Sequence, residues 1–255
     1  MLFALATTHV WRAARELPPA EPQADTQPAS TGAPAAAQSE NLVAAAPTAT
    51  LRDLLADPAF SMTADEAIGT LLTLWGGAYD AARREPCKQA SEQGLRCLLQ
   101  TRGSLGELKR INWPTIVSLV TGDRREHPVV IAALHHDTAE VVAHGKTYVL
   151  SLADLGLNWY GDHVLLWRPG NAPTRELVPG MDDVGVLWLR GMLARLNGAD
   201  PPAAASTIYD ASLAQQVKSY QREHQLAVDG IVGERTVIAI LADLKLPDTP
   251  LLAVR

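Results

Sequence analysis

The stretch Gln221-Arg222-Glu223-His224-Gln225-Leu226-Ala227-Val228-Asp229-Gly230-Ile231-Val232-Gly233-Glu234-Arg235-Thr236 decides how the second half of the chain is read. It leaves an amphipathic helix, passes a tight turn and restarts as a second helix. Leu213, Val217 and Tyr220 stand at i, i+4 and i+7, one apolar stripe on the incoming helix. Asp229-Gly230 is a turn dipeptide: the carboxylate can bond back to its own backbone, and glycine accepts positive φ at no steric cost. Gly233 opens a helix whose Val237, Ile240, Leu241 and Leu244 form a second apolar face. Upstream, Met181 to Leu196 reads as a further helix of the same module. Taken alone, Asp-Gly between helices defines only a helical hairpin, because the dipeptide is common.

A helix, the loop Asp229-Gly230-Ile231-Val232-Gly233 and a helix with Thr236 in its first turn, preceded by the 181–196 helix, resemble the peptidoglycan-binding domain of bacterial cell-wall proteins. The resemblance covers roughly residues 180–244 and implies a small three-helix module that binds peptidoglycan in a groove beside the loop. The binding residues it implies are Asp229, Gly230, Ile231, Gly233, Thr236 and Tyr220. Asp229 is expected to hold the loop through its backbone. Gly230 and Gly233 are expected to be bare because a side chain would strain the turn or block the ligand.

The chain has 255 residues, 47% hydrophobic and 20% charged, enough for two domains of ordinary size. A formal net charge of −6 argues against nucleic acid as a partner, since phosphate neutralisation needs clustered Lys and Arg. Residues 1–17 begin apolar and become charged, too short a run to span a bilayer, which needs about 20 residues. They read either as the outer end of a membrane anchor or as a frayed terminus. Residues 18–50, opened by Pro18-Pro19-Ala20-Glu21-Pro22, are a Pro/Ala-rich linker that cannot repay the entropy of folding. Extended at ~3.1 Å per residue, it would reach about 100 Å.

Residues 51–168 predict an α+β domain. Ser61 or Thr63 caps a helix that ends at Gly76-Gly77, and a second helix covers Cys87 to Glu92. A short strand follows at 95–99, then a helix from Ser104 to Arg110. An antiparallel meander comes last, with strands over 115–120, 128–134, 139–143, 147–151 and 163–167. Residues 169–179 read as a joint, 180–246 as the helical module and 247–255 as a tail.

This order, with Pro114-Thr115-Ile116 and His127-Pro128-Val129-Val130-Ile131 opening strands, resembles the papain-like double-glycine leader peptidases. In that family a catalytic Cys starts the first helix, a His opens a strand, and an Asp follows one hairpin later. Aligned on Trp75-Gly76, the Cys position falls near Thr63. His127 matches the His, and Ala143-His144-Gly145 stands where the Asp should be. A triad needs all three groups in mutual reach, so a peptidase fold without catalytic residues is expected. The competing reading is a cysteine peptidase or cell-wall hydrolase using Cys87 and His127.

The two domains behind a Pro/Ala tether resemble the periplasmic part of the general secretion pathway protein A family. That resemblance implies a periplasmic protein, tethered to the inner membrane, that supports secretin assembly in type II secretion. Peptidoglycan, secretion-pathway membrane proteins and the secretin are its implied partners, and no cofactor is implied. The family's ATPase is not expected here, because no Gly-x-x-x-x-Gly-Lys-Ser/Thr loop occurs.

Cys87 and Cys97 are the only cysteines. An even count in an exported chain favours a disulfide, whereas a cytosolic chain would keep both reduced. His135, His136, Asp137, His144 and His163 lack metal-ligand spacing and read as polar turn residues, so no metal site is expected. Trp159, Tyr160 and Trp167 could stack on sugar rings or anchor the sheet.

Overall fold

The computed structural model describes residues 50–201 and 205–252, all within one compact unit spanning 45–255. The expected membrane-anchor segment 1–17, almost all of the linker and the end of the tail lie outside the described residues. Among the described residues no helix is long and apolar enough to cross a membrane.

Short capped helices come first. α1 (Leu51–Ala56) and α2 (Ala64–Leu74) each start on a threonine in a capping box. Thr50 pairs with Asp53, and Thr63 pairs with Glu66. Ala67, Leu71 and Leu72 of α2 are buried. α3 (Pro86–Glu92) has proline in its first turn, where the missing N–H costs nothing. Gly94, at φ +76, then turns the chain into β1 (Arg96–Gln100). Ser104 caps α4 (Leu105–Ile111), and β2 (Thr115–Val120), β3 (Glu126–Leu134), β4 (Thr138–Ala143) and β5 (Lys146–Ser151) follow as an antiparallel meander. Val129, Val130 and Ile131 are consecutive and all buried, so both faces of β3 are covered. α2 packs across β2, β3 and β4.

The meander does not pass directly from its 147–151 strand to its last one, as the sequence reading had it. Ser151 caps α5 (Leu152–Asn158), and the chain then runs as a nine-residue strand, β6 (Trp159–Trp167). β6 inserts between β1 and β2, giving the order β1-β6-β2-β3-β4-β5. The difference has a physical cause. A seven-residue helix with one buried leucine leaves almost no period in the sequence, and strand order is fixed by pairing, which local pattern does not encode. His163, which opens the expected 163–167 strand and is also grouped with the polar turn residues, lies inside β6 at 3% exposure, and its Nδ1 is 3.0 Å from the Gly161 carbonyl oxygen.

The helical part comprises α6 (Gly185–Leu196), α7 (Ala211–Glu223) and α8 (Glu234–Leu244). α6 starts four residues later than the sequence suggested. Residues 181–184 instead bridge back, with Asp182 paired to Ile208 and the Asp183 carboxylate accepting from the Gly185 N–H at 2.6 Å. Its core joins Val186 and Leu189 to Leu213, Val217, Val237 and Ile240. α8 is also buried through Ile238 and Ala242 on its other side, because it packs against α4 as well as α6. Trp167 Nε1 donates to Glu234 (3.1 Å), and Arg235 pairs with Glu107 (2.9 Å), so α8 is fixed to the α+β part at its first turn.

Cys87 and Cys97 are joined as a disulfide with their Cα atoms 5.7 Å apart, tying α3 to the sheet's edge strand. Closing so short a loop stabilises by about 2–3 kcal/mol in the chain-entropy model. Thiol titration of the unreduced, denatured protein should therefore find no free thiol. Cys97→Ala should lower unfolding free energy by about that amount in a denaturant titration.

Candidate functional site

The loop between α7 and α8 is organised from beneath by one buried side chain. Gln221 sits on the core-facing stripe of α7 at 1% exposure. Its Nε2 donates to Asp229 Oδ1 (2.9 Å) and to the Ile231 carbonyl (2.8 Å), while its Oε1 accepts from the Gly230 N–H (2.9 Å). Both amide hydrogens and the amide oxygen are thus used on three successive loop residues. Tyr209, fully buried, donates from its hydroxyl to the Gly230 carbonyl at 2.6 Å. Asp229 Oδ1 also accepts from the Ile231 N–H at 2.8 Å, closing the Asx turn.

The electrostatics follow from these contacts. The Ile231 N–H holds the Asp229 carboxyl below its ordinary 3.8, and the Gln221 amide and Lys218 act in the same direction. A depressed folded value means that this contribution to loop stability is complete above the ordinary value and is lost as pH falls through the folded one. Burial, and then the nearby Asp229 charge, push the Tyr209 phenol upward, so it stays a donor at neutral pH.

Beside the loop lies a groove of ≈ 300 Å³. Asp229, Ile231, Gly233 and Thr236 line it, with Glu176 from the joint and Gln100 from β1 on the facing side. Gly230 lies under the loop rather than on the groove and is buried. Tyr220 is not there at all. It stacks on His224 at 4.1 Å, and its hydroxyl donates to Asp243 at 2.8 Å, on a different side of α7. Its place on the apolar stripe marked it as buried, but the stripe does not say which neighbour covers it. Gln221, Tyr209 and Glu176 went unassigned in the sequence. Gln221 had a usable signal: it follows Val217 at i+4, a polar side chain on the apolar stripe.

The two glycines differ in kind. Gly230 has φ +79 and needs its freedom. Gly233 has φ −87 and ψ −177, ordinary extended backbone, so the expectation of turn strain there does not hold. A Cβ at Gly233 would meet only the tip of Glu176, 3.0 Å away.

The positions that matched leader-peptidase catalytic residues fall toward one end of the sheet. β3 pairs with β4 so that Val130 faces Val142, which sets His127 and His144 at the same end. His144 Nε2 lies 3.0 Å from the Ser61 carbonyl oxygen, two residues before Thr63. The Thr63 hydroxyl is engaged with Glu66, donating to its carboxylate at 2.9 Å. His127 Nε2 lies 3.2 Å from the Thr121 hydroxyl. Cys87 is bonded to Cys97 rather than set beside His127. Among the described residues no three His, Cys, Asp or Glu side chains cluster as metal ligands. Trp159 and Trp167 are buried in the sheet, whereas Tyr160 is exposed.

Residues 182–240 match the family model described as "Putative peptidoglycan binding domain". The chain is 30% identical over 190 residues to the "Putative general secretion pathway protein A" of Escherichia coli (strain K12), a match covering 73% of this chain and 37% of the relative. It is 27% identical over 177 residues to the general secretion pathway protein A of Aeromonas hydrophila, covering 69% of this chain and 31% of that protein. The chain therefore spans about a third of the length of these curated relatives. A crystal structure of a periplasmic domain of the EpsAB fusion protein of the Vibrio vulnificus type II secretion system superposes with a TM-score of 0.47 at 21% identity, covering 78% of this chain and 96% of that one. The peptidase domain of Streptococcus ComA superposes with a TM-score of 0.35 at 12% identity, covering 43% and 98%. The resemblances to the peptidoglycan-binding domain and to general secretion pathway protein A thus hold, and the α+β class with a helical module is the observed one.

The loop's construction sets an order among substitutions. Gly230→Ala should cost about 1–2 kcal/mol, because alanine must adopt a left-handed backbone. Gly233→Ala should cost about 0.5–1 kcal/mol, because glycine ranks above alanine at a helix N-cap. Gln221→Ala leaves the Gly230 N–H unpaired and the Ile231 carbonyl with only the Thr236 hydroxyl, 3.4 Å away, and should cost about 2–3 kcal/mol. Urea titrations of the three variants check the ranking.

Proposed function

We propose that residues 180–246 bind peptidoglycan through the groove beside the Asp229–Gly233 loop. The chain then serves as a non-catalytic, wall-contacting periplasmic part of a type II secretion system. The observation that carries this reading is a coincidence of place: the stretch matched by the peptidoglycan-binding family holds a rigid, internally satisfied loop with a groove on its open side. Such a loop presents fixed backbone groups to a polar, uncharged glycan without reorganising to do so. The secretion role is supported by the names of the relatives from Escherichia coli and Aeromonas hydrophila. A disulfide suits an oxidising compartment, as the periplasm is. The wall contact would hold the secretion machinery, the secretin included, at a gap in the polymer, with inner-membrane proteins of the pathway as further partners.

The α+β part is read as a peptidase fold without peptidase chemistry. Support comes from the Cys87 sulfur being held in a disulfide and the Thr63 hydroxyl in a capping box. A thiol-reactive activity probe should leave the native protein unlabelled, whereas labelling of Cys87 with loss of hydrolysis in Cys87→Ala would favour a hydrolase.

Co-sedimentation of the whole chain with purified sacculi tests the main reading. Wild type should pellet with the sacculi at low and moderate salt. Asp229→Ala should bind about three- to tenfold more weakly while its circular dichroism is unchanged, since it loses a charged acceptor worth about 1 kcal/mol or more to the loop. A folded wild type left in the supernatant would sink the proposal.

A further inference from the structure

A second concavity adjoins the groove. Where the β1–α4 turn and α4 face α8, a cleft of ≈ 200 Å³ opens, and Gln100, Leu226 and Arg235 line both it and the groove. The groove alone is at the low end of the volumes that hold a small ligand, about 300–1,000 Å³. The two together make a longer channel with one wall from each part of the fold.

The cleft is cationic in a chain whose formal net charge is −6. Arg102, Arg110 and Arg235 line it, against Glu107 and Asp243. Both carboxylates are already occupied. Glu107 pairs with Arg235 at 2.9 Å, and Asp243 accepts from Tyr220 and faces His224 at 3.2 Å. Arg110 gives one N–H to Gln225 Oε1 at 3.0 Å and keeps the rest of its fork. Arg102 has no ion pair and no side-chain hydrogen bond among the described residues. Its backbone is nonetheless held in place. Its backbone is left-handed at φ +59, and the next residue, Gly103, donates its N–H to the Gly161 carbonyl at 2.9 Å. A Cβ at Gly103 would lie 2.4 Å from the buried His163 ring, so the turn is wedged against β6.

We propose that this cleft is a carboxylate-binding extension of the wall-binding groove, in which Arg102 and Arg110 take free carboxylates of the peptide stems while the Asp229 loop meets the adjoining part of the polymer. This rests on the peptidoglycan reading and names the part of the polymer that is recognised. The glycan strand offers hydroxyls and acetamides, which are neutral; the stems carry the free carboxylates, and planar guanidinium forks match carboxylates two bonds at a time. The α+β part thereby becomes a contributor to the binding site, supplying Arg102, Arg110 and Gln100.

The test uses the whole chain, intact sacculi, and sacculi whose free carboxylates have been capped as neutral methylamides by carbodiimide coupling, which leaves the cross-linked lattice in place. Wild type should bind intact sacculi more tightly than capped ones. Arg102→Gln together with Arg110→Gln should weaken binding to intact sacculi about three- to tenfold, as loss of partly exposed charge-assisted bonds does, and leave binding to capped sacculi unchanged. The difference should shrink as salt rises from about 0.05 to 0.5 M, because the site is open to screening ions. Arg102→Gln alone, at a residue with no side-chain partner, should show the same direction with an unchanged unfolding midpoint. If wild type and both variants bind intact sacculi equally while Asp229→Ala still binds weakly, the arginine site is overturned and the wall-binding reading stands. If wild type binds no sacculi, both fall.

Discussion

The second half of the molecule depends on one primary amide. Gln221 lies in the dry interior, where an unpaired amide would cost about 1–3 kcal/mol, so its bonds to Asp229, Gly230 and Ile231 are obligatory. Their number leaves no choice of rotamer or of flip. The acceptor end must meet the Gly230 N–H, and the donor end must meet a carboxylate and a carbonyl. The loop is therefore shaped from the helix side inward, and its outer side is left with backbone geometry already decided. Tyr209 repeats the device from a second direction, gripping the same glycine by its carbonyl. A surface loop that would ordinarily be the softest part of a helical module is held like part of its core.

How much of this could be read beforehand varies with the kind of information each feature carries. The helix–loop–helix was legible because caps, an Asp-Gly turn and 3.6-residue periodicity are local signals. Thr63 and Ser104 announced their helices in the same way. The insertion of β6 between β1 and β2 was not legible, since it depends on which edge is free once the other strands have paired. Tyr220 shows a finer limit. Its helical phase implies burial, but whether it faces the loop or Asp243 depends on the packing of α6 and α8. The groove had the same difficulty, because Glu176 and Gln100 reach it from segments distant in sequence. Gln221 was the missed opportunity, a polar residue in apolar phase that asks which partners it was buried to meet.

The α+β part has an unusual relation to the fold it resembles. The positions aligned with catalytic residues carry interactions that hold elements together: Thr63 starts α2, and His144 reaches the backbone ahead of it. At one edge of the sheet, β1 and the turn after it face α8. The surface of this part that adjoins the groove beside the loop thus lies three strands away from His127 in β3.

α8 is dry on two sides, through Val237 and Ile240 toward the helices and through Ile238 and Ala242 toward the α+β part, with Trp167 and Glu107 gripping its first turn. An element of this kind cannot swing away without wetting both faces together. On the proposed function, the polymer is held one turn from that helix, so tension on the cell wall would enter at the start of α8. From there it would spread into a six-stranded sheet whose edge strand is pinned by a disulfide. The molecule would bear such a load through the helical module and the sheet together.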